Sequence, residues 1–157
     1  MLKSPLEEMI KKLDPSPSCI VSTNALPWTQ QVADNFKIPR YIFETISCFT
    51  LLCSHKLSQA QIQETEISDL ESFLVPDIPH RVEFTKPKCR KLREKSSDHV
   101  KKLIDQIKKC RLSARGTLVN SFEELEPWYV EGYRKERQCV WCIGPVSSIV
   151  SKQQEPS

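Results

Sequence analysis

Glycine is scarce in this chain: three residues among 157, at positions 116, 132 and 144. That spacing excludes a dinucleotide fingerprint and a phosphate-cradling loop, both of which need clustered glycines for close backbone approach. No run of 18 apolar residues is present to span a bilayer. The opening MLKSPLEEMIKKLD lacks the apolar centre of a secretory signal, so a cytoplasmic setting is expected. Charge of one sign is missing too. With 23 basic residues against 20 acidic ones the net charge is +3, too little to demand nucleic acid or an acidic membrane as partner. The seven cysteines, at 19, 48, 53, 89, 110, 139 and 142, show no small-module spacing; they read as small apolar thiols, and no disulfide framework is expected.

What the chain does have is alternation of strand and helix signals. Two short apolar runs, Cys19-Ile20-Val21 and Tyr41-Ile42-Phe43, flank a helix-like segment opened by Pro27-Trp28-Thr29 and closed near Phe36. Runs this short, apolar on both sides of the pleat, suit parallel strands covered on both faces. Upstream, Ser4-Pro5-Leu6-Glu7 has the pattern of a capping box and predicts a helix over Pro5–Leu13. Ile46–His55 predicts a helix covering the sheet. Leu74–Lys95, broken by Pro76, Pro79 and Pro87, predicts a long surface excursion with a short extended piece at Arg81–Phe84. After a Ser97-Asp98 cap, Val100, Leu103, Ile104 and Ile107 make one helical stripe. Thr117–Val119 and Val140–Ile143 complete the strands, and Ser121–Glu124 reads as a second capping box before Pro127, which kinks that helix or starts a new one. The class is therefore α/β, a Rossmann-like parallel sheet flanked by helices. It occupies 1–150 as one domain, and 151–157 is a polar tail expected to be disordered.

Cys19–Phe43, together with LVPDIPHRVEFTK at Leu74–Lys86, LVNSFEELEP at Leu118–Pro127 and IGPVS at Ile143–Ser147, resembles the plant UDP-dependent glycosyltransferases over nearly the whole chain. The resemblance implies the latter part of the first, acceptor-binding domain of a two-domain glycosyltransferase-B fold. It also implies sugar transfer from a UDP-sugar to a hydroxyl of a small plant metabolite. In that family a histidine near the amino terminus deprotonates the acceptor hydroxyl, and an aspartate at a strand end orients the histidine. The aspartate's place, four residues before the proline of LPW, is held here by Thr23, which carries no charge to stabilise an imidazolium. The donor-binding box lies in the second domain, so no UDP-sugar site and no other cofactor site is expected in this chain.

Thr23, Asn24 and Ala25 stand just after the first strand, where open α/β sheets place ligands, and are the candidate acceptor-binding residues. Ser54 and His55 are the second candidate wall of that pocket. His55, His80 and His99 have no sequence-local partner that would mark a base. Cys139-Val140-Trp141-Cys142 is a lone CxxC, without the further ligands a zinc site needs, and strand alternation would send its sulfurs to opposite faces. The basic run KPKCRKLREK at 86–95 has no interleaved aromatic for base stacking and reads as a solvated loop. The expected partners are thus a small lipophilic acceptor and, through an unpaired sheet edge, a second copy of the chain. The expected activity of the isolated chain is none; a non-catalytic binding module is the other reading.

Overall fold

The computed structural model describes residues 2–60, 72–85 and 98–146. Its elements in chain order are α1 (Lys3–Lys12), β1 (Ile20–Thr23), α2 (Trp28–Phe36), β2 (Arg40–Glu44), α3 (Cys48–Gln59), β3 (Ser72–Leu74), β4 (Glu83–Thr85), α4 (Asp98–Ser113), β5 (Gly116–Val119), α5 (Pro127–Glu136) and β6 (Val140–Cys142). Four strands form one parallel sheet in the order β1-β2-β5-β6, and β3 pairs antiparallel with β4 in a separate ribbon. The parallel α/β architecture and its four strands are those read from the sequence.

Strand order equals chain order, so every crossover in the sheet moves the same way. Right-handed crossovers then place all connecting helices on one face. The side chains agree. Arg40, Ile42 and Glu44 of β2, Thr117 and Val119 of β5 and Val140 of β6 are buried on that face. There Val119 and Val140 pack with Cys48, Leu51 and Leu52 of α3 and with Val130 and Tyr133 of α5. A smaller cluster, Cys53, Leu57 and Val75, seats the β3–β4 ribbon on the outer side of α3, joined by Phe73, Val82 and Phe84. On the opposite face Val21, Tyr41, Phe43, Leu118 and Trp141 alternate outward, with Val21 52% and Trp141 42% exposed. Gly116 lets Trp141 lie flat across the sheet: a Cβ there would sit 2.5 Å from the Trp141 ring, which reaches Tyr41 edge-on at a centroid distance of 6.0 Å.

Several local expectations are corrected. α1 begins at Lys3 with Leu2 at its N-cap and no side-chain cap, so Ser4 lies inside the helix and the first capping box does not form. The second is absent as well. Ser121 gives its hydroxyl to Glu126, not to a helix start, and α5 begins at Pro127. The α4 stripe is less buried than its spacing implies, with Val100, Leu103 and Ile104 each more than a third exposed. Ser97, residues 86–95 and the tail 151–157 lie outside the described residues, as does the side chain of His99.

Candidate functional site at the carboxyl edge of the sheet

β1 ends at Thr23, and the chain turns at once. Leu26 N donates to the Thr23 carbonyl (3.2 Å), Ala25 N to Thr23 Oγ1 (3.4 Å), and Thr29 Oγ1 to the Leu26 carbonyl (2.7 Å), bringing Pro27 to the start of α2. Thr23 and Ala25 are exposed and Asn24 is half-buried. The side-chain oxygen of Asn24 is buried without a hydrogen-bond partner among the described residues.

Arg40 holds this loop from below. It opens β2, is 1% exposed, and donates from Nε to Ser22 Oγ (2.9 Å) and Thr29 Oγ1 (2.8 Å) and from Nη2 to the Thr23 carbonyl (3.2 Å). Burial lowers its pKa, against the neighbouring Cys110 and Glu44, which raise it. The nearby carboxylate of Glu44, at the end of β2, is taken by Arg111 of α4. The sequence reading started this strand at Tyr41 and so missed Arg40. The usable signal was the two-residue period Arg40, Ile42, Glu44, which puts all three on the helix-covered face.

The neighbouring strand ends are tied to one another. Glu126, 8% exposed, accepts from Cys48 N and Phe49 N at 2.8 Å each and from Ser121 Oγ, so one carboxylate joins the loop after β5 to the first turn of α3. Ser47 completes that helix start by accepting from Thr50 N. Gly144 closes the edge: a Cβ there would lie 2.6 Å from Asn120 Oδ1, the atom that accepts from Val146 N.

The structure sets the predicted site residues in two places. Thr23, Asn24 and Ala25 share one loop at the carboxyl edge. Ser54 and His55 lie about 10 Å along α3 from its start, by the rise of a helix, and only His55 is on the side packed against α5. Ser54 is exposed, while His55 Nε2 and Lys56 Nζ share Glu136, at 3.1 and 2.6 Å. His80 pairs with the Tyr129 hydroxyl (2.9 Å). A depression of about 390 Å³ beside this region, lined by Lys56, Trp128, Glu131 and Lys135 among others, holds mixed charge. Cys139 is exposed, and Cys142 faces Cys48 with sulfurs 4.0 Å apart; burial raises the pKa of both Cys48 and Cys142. Among the described residues no group of three or more histidine, cysteine or carboxylate side chains is placed to hold a metal ion.

The carboxyl-edge loop therefore offers a hydroxyl, an amide side chain and main-chain groups. It carries no ionisable group, and the buried carboxylates beside it are engaged. The loop's own groups can donate and accept hydrogen bonds, and none of them can take a proton from a hydroxyl.

No protein-family model matches the chain. Among curated proteins it is 42% identical over 149 residues to UDP-glycosyltransferase 73C4 and 41% identical over 149 residues to UDP-glycosyltransferase 73C3, both of Arabidopsis thaliana. These alignments cover 94% of this chain and 30% of each relative. Among solved structures, Glycyrrhiza uralensis UGT73P12 complexed with glycyrrhetinic acid 3-O-monoglucuronide superposes with a TM-score of 0.83 at 29% identity, over 96% of this chain and 31% of that one.

Proposed function

Because this chain belongs to the plant UDP-glycosyltransferase family, over a stretch equal to about 30% of its relatives' length, we propose that it is an acceptor-side part of such an enzyme that does not transfer sugar by itself. The reaction of the whole enzyme is transfer of a sugar from a UDP-sugar to a hydroxyl of a small lipophilic metabolite. One observation carries the second half of the proposal. The strand-end position that should orient a catalytic histidine is Thr23, and its hydroxyl accepts from Ala25 N (3.4 Å). A threonine offers no negative charge to hold an imidazolium, and no ionisable side chain lies in Thr23–Leu26 to replace it. The UDP-sugar would be held by parts of the relatives outside the shared stretch. Cytoplasmic residence goes with this reading, supported by the six cysteines that are free thiols among the described residues.

The test is incubation of the purified 157-residue chain with UDP-glucose and a panel of flavonoid and terpenoid alcohols. Product should not exceed a no-protein control, and sugar transfer above it overturns the proposal. A second reading, a non-catalytic binding module, is favoured by Asn24 Oδ1, which has no hydrogen-bond partner among the described residues, beside an exposed Thr23. The Glycyrrhiza relative's ligand makes lipophilic glucuronides and their parent alcohols the compounds to titrate first. Calorimetric binding that Asn24→Leu abolishes supports this reading, and no heat across the panel rejects it.

A further inference from the structure

Two thiols that sugar transfer does not use meet inside the core on the first face. Cys48 opens α3 and is 0% exposed; Cys142 closes β6 and is half-buried. Their sulfurs stand 4.0 Å apart although the residues are 94 positions apart in sequence, because α3 lies over Val119 and Val140. We propose that Cys48 and Cys142 are a reversible redox pair: a peroxide joins them into a disulfide that fastens the start of α3 to the end of β6, and a thiol of the glutathione class releases it.

The surroundings give the two sulfurs different parts. Cys142 is the one that solvent reaches, and beside its strand lies Arg134, whose Nε donates to the Val140 carbonyl at 3.2 Å. Burial raises the Cys142 pKa, while the Cys48 thiol and the Arg134 cation pull it down. Cys48 is raised well above the usual thiol range, by burial first and then by Cys142 and Glu126. Cys142 therefore meets the oxidant and Cys48 resolves it. The other half of the CxxC is excluded by the sheet. A Cβ on Gly116 would come 3.0 Å from Cys139 Cβ and 2.5 Å from the Trp141 ring, so Cys139 lies with Trp141 on the second face, whereas Val140 and Cys142 face the first.

The Cys142 thiolate attacks one oxygen of hydrogen peroxide, the O–O bond breaks, and the departing hydroxide takes a proton and leaves as water. Cys142 is then a sulfenic acid. The Cys48 sulfur attacks the Cys142 sulfur, the S–O bond breaks, and the Cys48 proton goes with the hydroxyl as a second water. Two thiols are oxidised and one peroxide is reduced. Bringing the sulfurs to bonding distance asks for about 2 Å of closure, shared between the last residue of a strand and the first of a helix. The bond adds a covalent tie where hydrogen bonds already run: Cys48 N donates to Glu126 (2.8 Å), and Gly144 N, two residues after Cys142, donates to the Ser121 carbonyl (2.9 Å). In a reducing compartment the pair rests as thiols, and the disulfide is transient.

The test treats the reduced, full 157-residue chain with a small molar excess of hydrogen peroxide, blocks the remaining thiols and maps peptides by mass without reductant. A Cys48–Cys142 cross-linked peptide is expected, lighter than the reduced pair by two hydrogens and absent after dithiothreitol. Because the link closes a long loop, the oxidised chain should unfold at a urea midpoint about 1 M higher. Cys142→Ser should abolish both the peptide and the shift, and Cys139→Ser should leave both in place. Cys48→Ser should strand Cys142 as a sulfenic acid that dimedone traps; this change is in the core, so the half-buried Cys142→Ser carries the test if that variant does not fold. Four results each overturn the proposal: Cys142 still a thiol after the exposed Cys139 is consumed, Cys142 oxidised to a sulfinic acid without a linked peptide, a link from Cys142 to another cysteine, or a linked chain whose midpoint does not rise.

Discussion

Arg40 carries the main chain of Thr23: its Nη2 donates to the Thr23 carbonyl at 3.2 Å while its Nε engages Ser22 and Thr29. A guanidinium 1% exposed stays charged because its donors meet fixed hydroxyl and carbonyl oxygens. Arg40→Met removes three guanidinium bonds from a buried site, leaving the Thr23 carbonyl only Leu26 N and Thr29 Oγ1 only the Ser22 hydroxyl as donors. It should lower unfolding free energy by about 3 kcal/mol in urea titrations. Arg40→Lys should recover little of this, since one ammonium cannot replace the planar fork that reaches Thr23 and Thr29 together.

Much of this architecture is legible in the sequence, because apolar runs at Ile20, Ile42, Val119 and Val140 are short and separated by helical periodicity. The site is less so. Thr23–Ala25 falls where strand-end logic puts it, but Arg40 beneath it is an ionic residue in a core, a role that composition reads as surface. Ser54 and His55 show the limit of local reasoning. Their position on α3 is plain from the sequence, whereas the partner of His55, Glu136, is 81 residues away and set by the packing of α3 on α5. The exposed second face of the sheet, with Val21 and Trp141, goes with the resemblance to the latter part of an acceptor domain and with no local pattern.

Lys37 terminates α2 in a left-handed conformation, φ 55°, its N–H reaching Ala33 and Asp34 carbonyls. A side chain in that region is disfavoured relative to glycine by roughly 1 kcal/mol. Lys37→Gly is therefore expected to stabilise the chain by about that amount, seen as a rise in the denaturation midpoint with an unchanged slope. A fall in the midpoint would show that the Lys37 side chain contributes more than its backbone costs.

Glu136 links α5 to α3 through Lys56 and His55, and the Lys56 hydrogen bond foremost holds its carboxyl below the usual glutamate range. A carboxyl whose folded pKa lies below its unfolded value, about 4.3, gives its full stabilisation above that value. It loses the stabilisation as pH falls through the folded one. Glu136→Gln should cost about 1 kcal/mol at neutral pH, given how partly exposed the pair is. Chemical denaturation from pH 7 down to pH 2 should show the two proteins converging. A gap that stays constant across this range would place the effect in packing instead of charge.

Glu126 is the residue whose removal should cost most at the carboxyl edge. Its carboxylate satisfies the first two N–H groups of α3, Cys48 and Phe49 at 2.8 Å each, and takes the Ser121 hydroxyl. It does so 8% exposed, where an unpaired donor cannot turn to water. Glu126→Ala orphans all three donors and removes a negative charge from a helix N-terminus, for an expected loss of about 3 kcal/mol. Glu126→Gln keeps one acceptor oxygen and should recover roughly a third of that. Hydrogen exchange separates this account from a general loss of packing. Amides at Cys48 and Phe49 should quicken in both variants by more than the global change, because α3 loses its cap whether or not the core around Leu51 and Val130 holds.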